Sequence, residues 1–264
     1  MSKYYIFDTE TDGHEEQGLV QLACADNEAI NRPERDLNSD DSPVEDLEGL
    51  FVEYVRPAKK QRAIGVCTHG LTDEFLSQFQ NGEIVYNYII NTMIPSDDIF
   101  VAHNIQFDID VVNTFLKRCE KAPFYNKKDL TFNPRGLDTL RLPKHFIKQS
   151  EIGSYKLDAL FVYLFTEKVK EMFERRNSHD ALEDCKMTDE VLMEIGRRYM
   201  DTEDIEELYL KSLEPYEVDD WYLGKYRGQP LEAAKGDHGY LKWARKDLVD
   251  DHPDLIYSLD KKGI

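Results

Sequence analysis

An α/β layer built on a mixed sheet is the fold class this sequence predicts, because strand-like segments come first and then alternate with helical ones. Apolar, β-branched and aromatic runs of strand length stand at 4–7, 19–25, 51–56 and 99–102. Helical patterns cover 84–95, 104–118, 155–165, 167–175 and 181–200. Hydrophobic residues are 41% and aromatic residues 11% of the 264, enough to fill a core and unlike a disordered chain.

Taken in order, Tyr4, Tyr5, Ile6 and Phe7 read as a strand that runs into polar residues at Asp8. A second strand follows at 19–25 and a third at 51–56, stopped by Pro57. Between them, 26–48 holds nine acids against two bases with no apolar period, which predicts an exposed, mobile insertion. A buried strand at 99–102 leads into a helix whose apolar face is Ile105, Ile109, Val112 and Leu116, with Asp108 on the same stripe and Asp110 toward solvent. Asp180 and Glu183 form a capping box for a helix beginning at Ala181. Its buried stripe is Ala181, Cys185, Thr188, Leu192, Ile195 and Tyr199, and Asp184 borders it. The stretch 201–220, nine acids to one base, reads as an acidic linker. Beyond it, 221–264 has its own aromatic set and reads as a small C-terminal module, marginal alone at about 44 residues and so docked on the main domain, 1–200.

Charge limits the function classes. With 33 Lys and Arg against 52 Asp and Glu, the net charge of −19 excludes a general nucleic-acid coat, since the mean field repels phosphate. An enzyme acting on nucleic acid stays open if some acids bind metal and the bases gather at the substrate. Residues 117–176 fit the second condition, with fourteen Lys and Arg against eight acids; ordinary solvated faces are the alternative. There is no apolar run of eighteen residues and no signal-peptide pattern. Cys24, Cys67, Cys119 and Cys185 are scattered like reduced thiols rather than a zinc site or a disulfide framework. The expectation is a cytoplasmic protein with no membrane partner.

Three short segments can carry chemistry together. Asp8 and Glu10, two apart on a strand, project from one face. Asp108 faces the interior of its helix, where a carboxylate is costly unless paired or metal-bound. Asp184 lies one turn into the helix after His179. Four converging carboxylates repel by several kcal/mol unless cations neutralise them. Oxygen-only ligands favour Mg²⁺ or Mn²⁺, and two such ions about 4 Å apart suit in-line phosphodiester displacement. A neutral His179 would take the proton of the attacking water.

These residues stand in the sequence as FDTET at 7–11, HNIQFD at 103–108 and HDALED at 179–184. In that order and spacing the chain resembles the DEDDh family of 3′→5′ exonucleases across 4–200. The resemblance implies a ribonuclease H-like mixed sheet flanked by helices, and metal-dependent hydrolysis releasing nucleoside 5′-monophosphates from a free 3′ end. It assigns Asp8, Glu10, Asp108 and Asp184 to two metal ions and His179 to the general base. Thr11 would offer backbone contacts to the terminal nucleotide, and Asn104 and Phe107 would orient the site. The segment HGLTDEF at 69–75 is similar to one that exodeoxyribonuclease X-type enzymes carry near that nucleotide; His69 either contacts substrate or closes a turn. The tail segments LGKYRGQ at 223–229 and DHGYLKW at 237–243 resemble the C-terminal module of the same enzymes. They form an aromatic mini-core, or dock DNA or protein through Lys225 and Arg227. The acidic insertion at 26–48 and the extended stretch 120–136 depart from the compact family pattern. The expected substrate is DNA with a free 3′ end, single-stranded or frayed. The alternatives are RNA, cleared by an exoribonuclease or oligoribonuclease of the same branch, and a 3′-end-binding module without catalysis.

Overall fold

A mixed sheet of order β3-β2-β1-β4-β5 organises the computed structural model, which describes residues 3–30, 48–80, 82–127, 129–170 and 181–264. The central strand β1 (Tyr4–Thr11) runs antiparallel to β2 (Leu19–Asp26), which pairs antiparallel with β3 (Leu50–Tyr54). On its other side β1 is parallel to β4 (Ile99–Ala102), and β4 to β5 (Arg135–Asp138). Tyr4, Tyr5, Ile6 and Phe7 are all buried, as expected for a strand covered on both faces.

The two-residue alternation of the strands sorts side chains into two layers. Tyr5, Phe7, Leu22, Cys24 and Phe100 face α3 (Glu83–Tyr88), its continuation in a π-turn at Ile89–Met93, and α4 (Ile105–Cys119). There Phe7, Phe100 and Phe132 meet edge to face at 5.3–5.9 Å, the arrangement their ring quadrupoles favour. Tyr4, Ile6, Ala23, Val101 and Leu137 face α6 (Leu157–Leu164), α7 (Ala181–Ile195) and α8 (Ile205–Leu213). Each fully buried Ile or Phe contributes about 1.5–3 kcal/mol, so both layers anchor β1. Two short helices, α1 (Ala63–His69) and α2 (Asp73–Leu76), follow β3; α1 packs beside the end of β1. Another short helix, α5 (Gln149–Ile152), precedes α6.

Several expectations change. Strand β5 was not legible, because its sequence Arg-Gly-Leu-Asp buries only Leu137 fully. The linker at 201–220 contains α8, whose Ile205 and Leu208 enter the core; two buried residues three apart outweigh the surrounding acids. The start of the acidic insertion is packed rather than exposed. Asp26 accepts amide hydrogens from Glu28 and Ala29, and Ala29 and Ile30 are buried. The rest of that insertion, 31–47, lies outside the described residues, as do 171–175 of the helix expected at 167–175, whose start at Thr166–Lys168 is a 3-10 turn. Among the described residues no helix is long and apolar enough to cross a membrane.

The tail builds a cluster around fully buried Trp221, with α9 (His238–Asp247) and α10 (Pro253–Lys261). It joins the main body through Arg141, which donates two hydrogen bonds of 2.9 Å to Asp254 and further ones to the carbonyls of Ser212 and Glu214. The Tyr216 ring lies 5.1 Å from that guanidinium, within cation–π range.

Candidate active site

Asp8 and Glu10 share the face of β1 that α7 covers, and Asp184 sits in the first turn of α7. Oxygens of these three carboxylates all lie within 4.8 Å of one another. The helix N-terminus favours the negative charge of Asp184; Asp8 and Glu10 have no such help from a strand. Beneath them, burial pushes the Cys185 thiol well above its ordinary range, and Asp8 and Asp184 push it further, so the site carries a negative field. Oxygen-only donors converging this way fit a hard divalent cation.

Asp108 is not one of that group. Its carboxylate accepts from Thr9, between Asp8 and Glu10: the amide, in the plane of the sheet, donates at 3.0 Å and the hydroxyl at 2.7 Å. Asp108 thus reaches β1 between Asp8 and Glu10, and like Asp8 and Asp184 it is near enough to push the Cys185 thiol up. Asp108 is 2% exposed. Burial pushes its carboxyl up to about 7, Asp138 adds repulsion, and the two Thr9 hydrogen bonds pull the other way. A carboxyl held near neutrality like this is one that a nearby cation would ionise.

The corner leading to Asp108 is fixed from β5. Asn104 is left-handed at φ 68°, a conformation asparagine tolerates better than most residues. Its amide donates to Asp138 at 2.9 Å, and the Leu140 amide donates to the same oxygen at 2.8 Å. Burial pushes Asp138 up as well. Phe107 packs against the core on the α4 side of the sheet. Asp138 and Thr139 hold the site's framework, yet sequence reading passed over them; Asp at a buried strand end was the available signal.

His69 is a strut. It is 2% exposed. Its Nδ1 accepts from the Leu71 amide at 3.0 Å, so Nε2 carries the proton that it donates to the Thr11 carbonyl at 3.1 Å. It closes the turn after α1 and braces the end of β1. Thr11 lies where β1 and β2 slip register, after Glu10. Gly65 lets α1 approach this end: a Cβ there would fall 2.9 Å from backbone atoms of Thr11, Asp12 and Gly13. His179 lies outside the described residues, as does Asp180 of the capping box.

Within the basic stretch 117–176, Lys117, Lys121, Lys127, Lys148 and Lys156 are exposed, and four other cations are held in ion pairs. Arg118 pairs with Glu16, Arg135 with Glu206, Arg141 with Asp254 and Lys168 with Glu190. These four cations tie neighbouring elements of the fold together. In the tail, Lys225 pairs with Asp237 at 2.6 Å, and Arg227 is exposed.

No protein-family model and no curated protein matches this chain. Solved structures do. Exonuclease I of Methylocaldum szegediense is 18% identical, with a TM-score of 0.52 over 79% of this chain and 42% of that one. The zinc-bound complex of E. coli exonuclease I with single-stranded DNA is 16% identical, with a TM-score of 0.51 over 79% and 42%. Exonuclease X in complex with 5′-overhanging duplex DNA is 18% identical, with a TM-score of 0.48 over 79% of this chain and 99% of that one. The chain thus spans 42% of the exonuclease I chains it matches. Its five-stranded mixed sheet flanked by helices is the ribonuclease H-like fold of these exonucleases.

Proposed function

We propose that this chain is a divalent-metal-dependent 3′→5′ exodeoxyribonuclease of the DEDDh type. The convergence of Asp8, Glu10 and Asp184 within 4.8 Å carries the reading, because three carboxylates so close repel one another unless a cation lies among them. Asp8, Glu10 and Asp184 would hold Mg²⁺ or Mn²⁺, with Asp108 joining from its place on Thr9. When bound, two such ions supply a water of lowered pKa and neutralise charge building on the phosphodiester. His179 takes the proton of the attacking water on a ring nitrogen. Thr11, at the end of β1, offers its backbone to the terminal nucleotide, and Asn104 and Phe107 orient the helix that bears Asp108. The fold shared with exonuclease I, solved with single-stranded DNA, supports a single-stranded or frayed DNA end as substrate.

A gel time course on 5′-labelled single-stranded DNA and matched RNA, with Mg²⁺ or with EDTA, tests this. The expected result is a Mg²⁺-dependent ladder on DNA that is faint on RNA. A ladder mainly on RNA would keep the site and overturn the substrate, and no ladder on either would overturn the enzyme. Asp184→Asn should keep the fold, read by circular dichroism, while lowering turnover by at least a hundredfold; wild-type turnover would sink the metal-ligand assignment.

A further inference from the structure

The segment between β3 and α1 has a charge pattern that the site does not use. Residues 56–62 read Arg-Pro-Ala-Lys-Lys-Gln-Arg, four cations and no acid in a chain of net charge −19. Three contacts bind this strip to the loop that follows Thr11. The Arg62 amide donates to the Asp12 carbonyl at 3.0 Å, His14 Nε2 lies 2.9 Å from the Lys60 carbonyl, and Lys59 pairs with Glu16 at 3.1 Å. Lys60 and Arg62 are exposed, and among the described residues no carboxylate pairs with either.

At its other end the strip meets aromatic rings. Arg56 donates twice to the Phe79 carbonyl, at 2.9 and 2.8 Å. Phe79 lies 4.8 Å from Tyr54 and 5.2 Å from Phe75, and Phe75 lies 5.2 Å from Tyr54. Phe75 is 37% exposed. A cavity of about 220 Å³ opens beside the rings, walled by Glu53, Tyr54, Gln78, Phe79, Gln80 and the start of α3. Tyr54 pairs with Gln21, and Gln21 with Glu10. The aromatic cluster therefore begins on the same row and face of the sheet as Glu10, two strands or about 10 Å away.

We propose that the 56–62 strip and the Tyr54–Phe75–Phe79 cluster form the track for single-stranded DNA upstream of the 3′-terminal nucleotide. This rests on the exonuclease reading above. Cations spaced along a strip match a phosphodiester backbone, and an exposed ring accepts any base face, so the track binds without sequence preference.

Fluorescence anisotropy of labelled dT12 in EDTA measures binding without turnover. The double variant Lys60→Glu, Arg62→Glu should weaken binding at least tenfold. It should also reduce the slope of log affinity on log salt by about 1.4, since each phosphate contact on a single strand is worth about 0.7. Phe75→Ala should weaken binding about fivefold or more and leave the salt slope unchanged. Arg197→Glu, on exposed Arg197 in the turn after α7, about 20 Å along from Asp184, serves as control and should change affinity less than twofold. Track variants that bind as the wild type, with its salt slope, overturn the proposal, as does a wild-type protein that does not bind dT12. Track-dependent binding without Mg²⁺-stimulated cleavage upholds the track and overturns the nuclease reading instead.

Discussion

Thr139 settles the chemistry of one neighbouring side chain. Its hydroxyl donates to the Ala102 carbonyl at 3.3 Å, so its oxygen accepts from Nδ1 of His103 at 3.1 Å. His103 is held as a neutral ring, and burial pushes its pKa down to about 4. A histidine depressed in the folded state contributes stability that is present above its ordinary pKa and lost as pH falls through the lowered one. Wild type should therefore lose on the order of 3 kcal/mol relative to His103→Asn between about pH 6.5 and pH 4. Urea denaturation of both proteins across that range checks it, and parallel pH profiles would refute the assignment. The acids at Asp8, Glu10 and Asp184 were legible because a two-residue strand period and a helix start place carboxylates without knowledge of the partner strands. Asp108 was half legible. Its burial follows from the helix stripe, but its bond to Thr9 depends on which layer α4 covers, and no local pattern encodes that.

Elements show the same division. Strands β1, β2 and β4 and helices α4 and α7 announce themselves through apolar period, whereas β5 is a strand only because β4 offers it a ladder. Yet β5 supplies Asp138, which ties its own end to the first turn of α4. Asp138→Ala leaves two backbone amides without their acceptor, at about 1–3 kcal/mol, and should lower turnover with it. Asp138→Asn keeps an acceptor oxygen and should recover most of both, read by urea denaturation beside the DNA ladder. Helix α1 approaches β1 just as closely from the other side. Gly65→Ala forces a Cβ against three backbone atoms and should cost about 1–3 kcal/mol; an unchanged melting temperature would show that α1 can move away.

At the scale of the whole molecule, the Arg141–Asp254 pair joins the tail to the main body among the described residues. The Asp254 side chain is 8% exposed, the Arg141 side chain 30%. Removing one partner leaves the other short of its charge, so Arg141→Met should cost on the order of 2–4 kcal/mol and expose the tail to limited proteolysis before the body. Deleting 221–264 would strip Arg141 of Asp254 in the same way. The truncated body should therefore be less stable as well as weaker on long DNA, and thermal denaturation separates these effects. A tail was legible in the sequence from its aromatic set. The joint was not, because Arg141 and Asp254 are 113 residues apart and nothing local pairs them.

The tail holds both tryptophans of the chain, Trp221 fully buried and Trp243 39% exposed. Intrinsic emission on excitation of indole is thus a reporter of the tail alone, already installed, while far-ultraviolet ellipticity averages over every helix. If the Arg141 joint makes body and tail a single cooperative unit, the two signals must trace one superimposable transition. In Arg141→Met they should separate, with the emission change leading.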